Sequence, residues 1–445
     1  MKHSVLIAGP AAGPLRGDLT PPGDKSMSHR AVMLAALADG ISEIHGFLPG
    51  EDNLSTAQMF VQMGVRIDWL NSEKTSLRIH GVGLHGLREA EKVLDAGNAG
   101  TCARLMMGVL AGQSFTSTLT GDASLRSRPM QRVSEPVQRM GAVVKGSDNG
   151  KHLPITIRGG NLHGIDYVSP VASAQIKSCV LLAGLFADGE TTIREPRPSR
   201  DHTERMLPLF AQSVNIDDDG TIRLQPQQRL IAPDAPILIP ADPSSAAFFA
   251  VAASLVADSE LLIHGIGINP RRDGWRHILA DMQADIRLLD EICVGDEPVA
   301  DFAIRSAQLY GMQVNPANVP DAIDEFPVLF VAAALADGTF LLQGAGELRV
   351  KESDRISVMA NALNACGAHI EERPDGIRIN GCNTLQGGVE IDAKGDHRIA
   401  MAMAVAAQRA DSDIRIRNAA AIATSFPDFV SIAQRIGMNV RWEAG

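Results

Sequence analysis

The sequence predicts an α/β protein of more than one domain, and three observations lead there. First, a polar or glycine-rich segment followed by an Ala/Leu/Val-rich helix recurs six times. The repeats start at intervals of roughly 70 to 80 residues, too long for common solenoids and close to a small α/β unit. Second, alternating or β-branched runs at 76–80, 154–158, 220–224, 237–240 and 376–380 read as strands between those helices. Third, 445 residues exceed what one core holds, which implies two or three domains. No low-complexity linker is visible, so the boundary should be a tight crossing, and the segment 225–242 with its four prolines suits it best.

The first repeat opens on Gly23-Asp24-Lys25-Ser26-Met27-Ser28-His29-Arg30, delivered by a prolyl turn at Pro21-Pro22-Gly23. Ser26 or Ser28 is expected to cap the helix, with Gly40 ending it as the C′ residue. Lys25 then lies just before the helix and Arg30 about one turn inside. Backbone N–H groups, hydroxyls and two cations converging on one point suit an anion; an ordinary capped surface helix is the plainer account. A nucleotide P-loop is excluded, because the spacer from Gly17 is one residue too long and Asp24 intrudes before Lys25.

The second repeat opens on Asp95-Ala96-Gly97-Asn98-Ala99-Gly100-Thr101, whose small residues let a ligand touch the backbone, with Arg104 inside the following helix. A tight turn accounts for it equally well. Residues 121–130 carry Arg126 and Arg128 before Pro129, suited to a phosphate or merely to solvent. Ser173, Ala174, Gln175 and Lys177 open the third helix, where neutral donors suit hydroxyls or a second phosphate. Pro196 and Pro198 break 194–203, with its Arg197, Arg200, Asp201 and His202, into a loop.

The fourth repeat starts at Asp242-Pro243-Ser244-Ser245 and the fifth at Asp324-Glu325-Phe326-Pro327. Acids at a helix start are favoured by its dipole, so capping is the default role of Asp324 and Glu325. In the 348–355 segment, Lys351 and Arg355 read as one helical turn apart on one face, with Glu352 neighbouring Arg355 at i,i+3. Asp396-His397-Arg398 begins an otherwise apolar sixth helix, as a cap or a ligand site.

Composition narrows the function class. The net charge of −11 argues against nucleic-acid binding, and it makes local gatherings of Lys and Arg more telling. Five cysteines, with no C-x-x-C pair, suit a reducing cytosol. After Lys2 the apolar run 5–8 is too short for a signal peptide, and no stretch approaches membrane-spanning length. Zinc spacings, a G-x-S-x-G elbow and a dinucleotide fingerprint are missing.

Taken in order, P-G-D-K-S-M-S-H-R, D-A-G-N-A-G-T, G-D-A-S-L-R-S-R-P-M, A-S-A-Q, R-D-H-T-E, I-D-E-F-P, L-R-V-K-E-S-D-R, G-D-H-R and A-T-S-F-P-D-F resemble the 3-phosphoshikimate 1-carboxyvinyltransferase (EPSP synthase) family from about residue 13 onward. The resemblance implies a two-domain inside-out α/β barrel built from six βαβαββ repeats, three per domain. It implies domains at 1–21 plus 241–445 and at 22–240, with the active site in the cleft between them. The implied reaction moves the enolpyruvyl group of phosphoenolpyruvate to the 5-hydroxyl of shikimate 3-phosphate, on the path to chorismate and aromatic amino acids. No metal or organic cofactor is implied, nor any nucleic-acid or membrane partner. A cytoplasmic monomer acting on small anionic substrates is expected.

By the same resemblance Lys25, Asp324 and Glu352 are catalytic. Shikimate 3-phosphate falls to Lys25, Ser26, Arg30, Ser173, Ala174, Gln175, Arg200, Asp324 and Lys351. Phosphoenolpyruvate falls to Lys25, Asn98, Gly100, Arg128, Gln175, Arg355 and Arg398. Asp324 would accept the hydroxyl proton, and Glu352 or Lys25 would protonate the methylene carbon. Many family members carry Lys where Thr424 stands, and this chain resembles the bacterial branch that includes glyphosate-tolerant enzymes. Tolerant relatives typically carry Ala at the place of Gly100. The alternatives are an enolpyruvyl transferase of the same fold acting on UDP-N-acetylglucosamine, which usually carries a loop Cys and lacks the K-S-x-S-H/N-R motif, and a non-catalytic phospho-ligand binding protein, which has no need of both Asp324 and Glu352.

Overall fold

The computed structural model describes residues 4–443, residue 228 excepted; Lys2 lies outside them. The described chain divides into two compact units: Gly23–Ile239, and the residues up to Pro22 together with those from Pro240 on. The 225–242 segment therefore contains the boundary, but it is not merely a connector. Leu230–Ile231 and Ile237–Leu238 both pair in parallel with Ala38–His45 and complete a sheet of the unit they leave.

Each unit is built three times over from one βαβαββ pattern. In Gly23–Ile239, for example, Leu94–Asp95 runs parallel to Thr116–Thr120, which is antiparallel to His152–Arg158, with Val143–Gly146 on the far edge. The second and fourth strands of each repeat thus lie side by side in the sheet. Asp166–Val168, Thr191–Arg194, Ile222–Leu224 and Asn215–Ile216 repeat that order, as do Arg16–Leu19, Glu260–Gly267, Glu297–Arg305 and Asp285–Val294. In the fifth sheet the first strand shrinks to a parallel bridge between Gln313 and Leu341. In the sixth, Glu390–Asp392, Ile414–Arg417 and Val440–Trp442 lack a fourth strand, and Val5–Ala8 from the other end of the chain supplies it. The short apolar run near the N-terminus is therefore the inner strand of a sheet.

The second strand of each repeat is preceded by a helix from the middle of the core: Lys25–Leu37, Gly100–Ala111 and Ala174–Gly184 in one unit, Pro243–Leu255, Phe326–Ala334 and His397–Ala407 in the other. These helices are apolar on nearly every side, and a helix apolar all round is buried; all 13 residues of Pro243–Leu255 are. The sheets alternate buried and more exposed positions, as in His152–Arg158, and so wrap the helices with one face outward. Helices inside and sheets outside make each unit an inside-out α/β barrel. Small residues allow the inner helices to touch. A Cβ on Gly108 would stand 2.2 Å from the carbonyl oxygen of Cys179, so only glycine fits where Gly100–Ala111 meets Ala174–Gly184.

Helix ends correct three expectations. Asp24, rather than Ser26 or Ser28, caps Lys25–Leu37 by accepting from the Met27 N–H at 2.8 Å. Carboxylate and hydroxyl caps are near-equivalent, so the sequence allowed either. Lys25 is accordingly the first helical residue. Gly40 is not a helix stop: the chain passes directly from Leu37 into the Ala38–His45 strand, where Gly40 takes φ +111.

Candidate active site

The polar N-terminal ends of the inner helices meet one another within each unit. In Gly23–Ile239, Lys25 pairs with Asp52 and its carbonyl accepts from Asn53 Nδ2 at 2.9 Å. Arg30 is buried, and each of its three nitrogens donates a bond: Nε to Thr203 Oγ1 at 2.7 Å, Nη1 to the Ser26 carbonyl at 3.0 Å, and Nη2 to Ser178 Oγ at 2.7 Å. It holds Ser26 in place and ties the Lys25–Leu37 helix to Ala174–Gly184.

Arg104, one turn into Gly100–Ala111, donates from Nη1 to Gln175 Oε1 at 2.8 Å, while Gln175 Nε2 returns a bond to Thr101 at 3.2 Å. Arg128 donates to Asn98 Oδ1 at 2.7 Å, and Asn98 donates to Asp122 Oδ2 at 2.7 Å. A Cβ on Gly100 would lie 3.0 Å from Arg104 Nη1 and 3.2 Å from Arg128 Nη1, so Gly100, Asn98, Gln175 and two arginines share one small volume. Sequence reasoning noted Arg104 without assigning it; its place one turn after Gly100 was the available signal.

Ser173 caps Ala174–Gly184, and its own N–H donates to Glu195 Oε1 at 2.9 Å. Ser173, Ala174, Gln175 and Arg200 are all part-exposed. Lys177, grouped with them from sequence, is not. It is buried, with Nζ 3.1 Å from Glu195 Oε2, 2.8 Å from Glu204 Oε1 and 3.1 Å from the Ser199 carbonyl. Burial works against its charge, yet Glu204 and Glu195 hold its pKa above the ordinary lysine value; burial pushes the Glu204 carboxyl up. Lys177 braces the 195–199 loop beside Arg200 rather than presenting a cation. Buried His29, one residue before Arg30, shares Nδ1 with Thr56 Oγ1 at 2.7 Å.

The other unit gathers carboxylates around one buried arginine. Arg355 Nε donates to Asp396 Oδ2 at 2.8 Å, Nη2 to Glu352 Oε2 at 2.6 Å, and Nη1 to Asp324 Oδ1 at 3.2 Å. Burial opposes the guanidinium charge, but Asp396, Glu352 and Asp324 outweigh it and raise its pKa. Lys351 Nζ is 3.3 Å from the same Asp324 oxygen. The expected helical spacing of Lys351 and Arg355 is incorrect, because the helix begins only at Arg355 with Asp354 as its cap. A bend before the helix brings them together on Asp324 instead, and Arg355 is no solvated surface residue.

Nor is Phe326–Ala334 capped by the acid directly before it. Its N-cap residue, Glu325, makes no side-chain cap bond; it accepts from Ser244 and from Arg398 Nη1 at 3.4 Å. Arg398 Nη1 also donates to the Asp324 carbonyl at 2.8 Å. Asp396 proves to be a cap and more, since it accepts from the Arg398 N–H at 3.0 Å as well as from Arg355 and Ser353. Thr424 Oγ1 donates to the Ala421 carbonyl at 2.7 Å.

The two ensembles have the chemistry of anion handling and proton transfer: arginines that fix phosphates or carboxylates, and acids in contact with a cation. Burial pushes the Cys102 and Cys179 thiols up to about 12, which makes them inert packing groups. Among the described residues, no group of three or more His, Cys, Asp and Glu is placed to hold a metal ion, and no helix is long and apolar enough to cross a membrane.

Comparison with known proteins agrees with these motifs. Residues 10–432 match the profile of EPSP synthase (3-phosphoshikimate 1-carboxyvinyltransferase). A 3-phosphoshikimate 1-carboxyvinyltransferase of Xanthomonas axonopodis pv. citri is 53% identical over 428 residues, covering 96% of this chain and 95% of the relative. One from Methylococcus capsulatus is 50% identical and covers 99% of both. A solved structure of EPSP synthase from Acinetobacter baumannii superposes with a TM-score of 0.87 at 44% identity, over 98% of this chain and 99% of that one. The enolpyruvyl transferase NikO from Streptomyces tendae, at 16% identity and a TM-score of 0.79, shares the fold. The repeat order, the motifs at the inner helix ends and these likenesses have one reading: the chain belongs to the EPSP synthase family.

Proposed function

We infer that the chain is a 3-phosphoshikimate 1-carboxyvinyltransferase, transferring the enolpyruvyl group of phosphoenolpyruvate to the 5-hydroxyl of shikimate 3-phosphate and releasing phosphate. The observation that carries this is Arg355, buried and bonded at once to Asp324 and Glu352. A base and an acid beside one fixed cation suit an addition to an anionic enol ester.

Asp324 takes the 5-hydroxyl proton as that oxygen attacks C2 of phosphoenolpyruvate, and Glu352 or Lys25 gives a proton to C3. Collapse of the tetrahedral intermediate returns a C3 proton, breaks the C2–O bond to phosphate and restores the double bond. Arg128, Arg355 and Arg398 hold the phosphate and carboxylate of phosphoenolpyruvate, with Asn98, Gly100 and Gln175 around them. Ser26, Arg30, Ser173, Ala174, Gln175, Arg200 and Lys351 serve shikimate 3-phosphate, and Lys25 meets both substrates.

The chain works on this substrate pair as a cytoplasmic monomer. The test is phosphate release: it should require both substrates together. Release with phosphoenolpyruvate alone, or with UDP-N-acetylglucosamine in place of shikimate 3-phosphate, would overturn the assignment.

A further inference from the structure

Glu325 is 1% exposed, and it is not spent on capping the helix it precedes. A carboxylate this deep is costly unless its oxygens are satisfied. Oε1 accepts from Ser244 Oγ and from Arg398 Nη1, while Oε2 is buried without a hydrogen-bond partner among the described residues. Ser244 Oγ in turn receives Arg272 Nη2 at 2.9 Å, and Arg272 Nη2 also reaches Asp242 Oδ1 at 3.1 Å. Arg272, Asp242 and Ser244 are themselves buried.

A continuous chain of polar contacts therefore runs Arg272–Ser244–Glu325–Arg398. It crosses the starts of all three inner helices of its unit: Asp242 caps Pro243–Leu255, Glu325 precedes Phe326–Ala334, and Arg398 lies in the first turn of His397–Ala407. At its far end the same Arg398 nitrogen bonds the carbonyl of Asp324. A hydrophobic residue would fill the Glu325 position at lower cost if packing were its only task.

We propose that Glu325 is a positioning residue, which aims the Arg398 guanidinium at the carboxylate or phosphate of phosphoenolpyruvate and is itself fixed from behind by Ser244 and Arg272. The inference rests on the reaction assigned above. With Nη1 turned toward Glu325 and the Asp324 carbonyl, the remaining edge of Arg398 is the one presented to an anion. Holding that edge beforehand removes the ordering cost at the moment of binding. Shikimate 3-phosphate, which owes nothing to Arg398 in this reading, should be indifferent to the change.

The test is Glu325→Gln, which keeps the shape and an acceptor for Ser244 but removes the charge facing Arg398. The KM for phosphoenolpyruvate should rise about tenfold, with the KM for shikimate 3-phosphate within about twofold of wild type; loss of ground-state binding reads out in KM rather than kcat. Ser244→Ala, which leaves every charge in place, should reproduce a smaller share of the same one-sided rise. Adding it to Glu325→Gln should then contribute little, since residues of one network are not additive. An active wild type with an unchanged phosphoenolpyruvate KM in folded Glu325→Gln, or with both KM values raised equally, overturns the proposal. If Glu325→Gln does not fold, Ser244→Ala decides by the same criterion. A wild type that releases no phosphate from the substrate pair overturns the reaction itself, a failure visible before any variant is read.

Discussion

Arg355 and Asp396 are a buried ion pair in which Nε donates to Oδ2 at 2.8 Å, with side-chain exposures of 1% and 0%. Asp396 also caps the helix that carries Arg398, so one carboxylate holds the Arg355 guanidinium and the backbone N–H of Arg398. Arg355 keeps Glu352 and Asp324 when Asp396 is removed, so the cost is that of the lost charged hydrogen bonds and of the cap, about 2–4 kcal/mol. Asp396→Ala should be destabilised by about that amount in chemical unfolding, and Asp396→Asn, which can still cap, by less. A loss below about 1 kcal/mol for Asp396→Ala would mean that water or another group replaces the carboxylate.

Asp324→Asn and Glu352→Gln should each lower kcat by about 10²–10⁴-fold, the range for a lost general acid or base, with substrate affinity changed far less. Amides are preferable to alanine here, because both carboxylates also pack against Arg355. If only KM rises in either variant, that residue binds and does not transfer a proton.

Lys25→Met should nearly abolish turnover while the protein remains folded. The methionine keeps the apolar stem but loses a charge-assisted contact to both substrates, a loss felt most in the transition state. Near-normal kcat and kcat/KM would remove Lys25 from the site and leave it a structural role that includes its ion pair with Asp52.

Gly100→Ala should separate glyphosate from phosphoenolpyruvate. Its new methyl would press on the Arg104 and Arg128 guanidinium ends at 3.0 and 3.2 Å. Overpacking costs about 1–3 kcal/mol, and about 1.4 kcal/mol is tenfold in affinity. Because glyphosate is longer than phosphoenolpyruvate, its inhibition constant should rise about 10–100-fold and the KM much less. The wild type, with Gly100, should be inhibited competitively with phosphoenolpyruvate. Equal losses of both ligands in the variant would show that Gly100 is not the gate.

His29 sets a pH dependence of stability. Burial, with Lys25 and Arg30 nearby, holds its pKa well below the ordinary histidine value. The unfolded chain therefore takes up a proton, near pH 6.5, that the native state refuses. The stabilisation is complete above about pH 6.5 and falls below it by up to about 1.4 kcal/mol per pH unit. Unfolding measured between about pH 7.5 and 5 should show this slope in the wild type and a shallower one in His29→Gln. Parallel slopes would mean that His29 is protonated in the native state.

The inner helices were legible in the sequence because apolar residues on every side, with a polar cluster at one end, have few other solutions. All six form where that pattern stands. Helix boundaries were less legible: three residues near Lys25 can cap, and only geometry selects Asp24. Spacing misled at Lys351, where a bend rather than a helical turn brings Lys351 and Arg355 onto Asp324. Lys177 and Glu325 were misjudged for one reason. A charged residue near a helix start looks the same in sequence whether it faces a ligand or a buried partner far along the chain, such as Glu204 or Ser244. Pairings of that range leave no local periodicity.

Val5–Ala8 has a consequence for the order in which the molecule assembles. It is synthesised long before its neighbours Ile414–Arg417 and Val440–Trp442. Loop closure across so much chain is slow relative to local pairing. The Gly23–Ile239 unit, whose strands all find partners within its own span, has no such wait. Pulse-labelled hydrogen exchange during refolding should therefore protect the amides of Gly100–Ala111 before those of Val5–Ala8. On the ribosome, Val5–Ala8 must be kept from wrong edges until the chain that completes its sheet emerges.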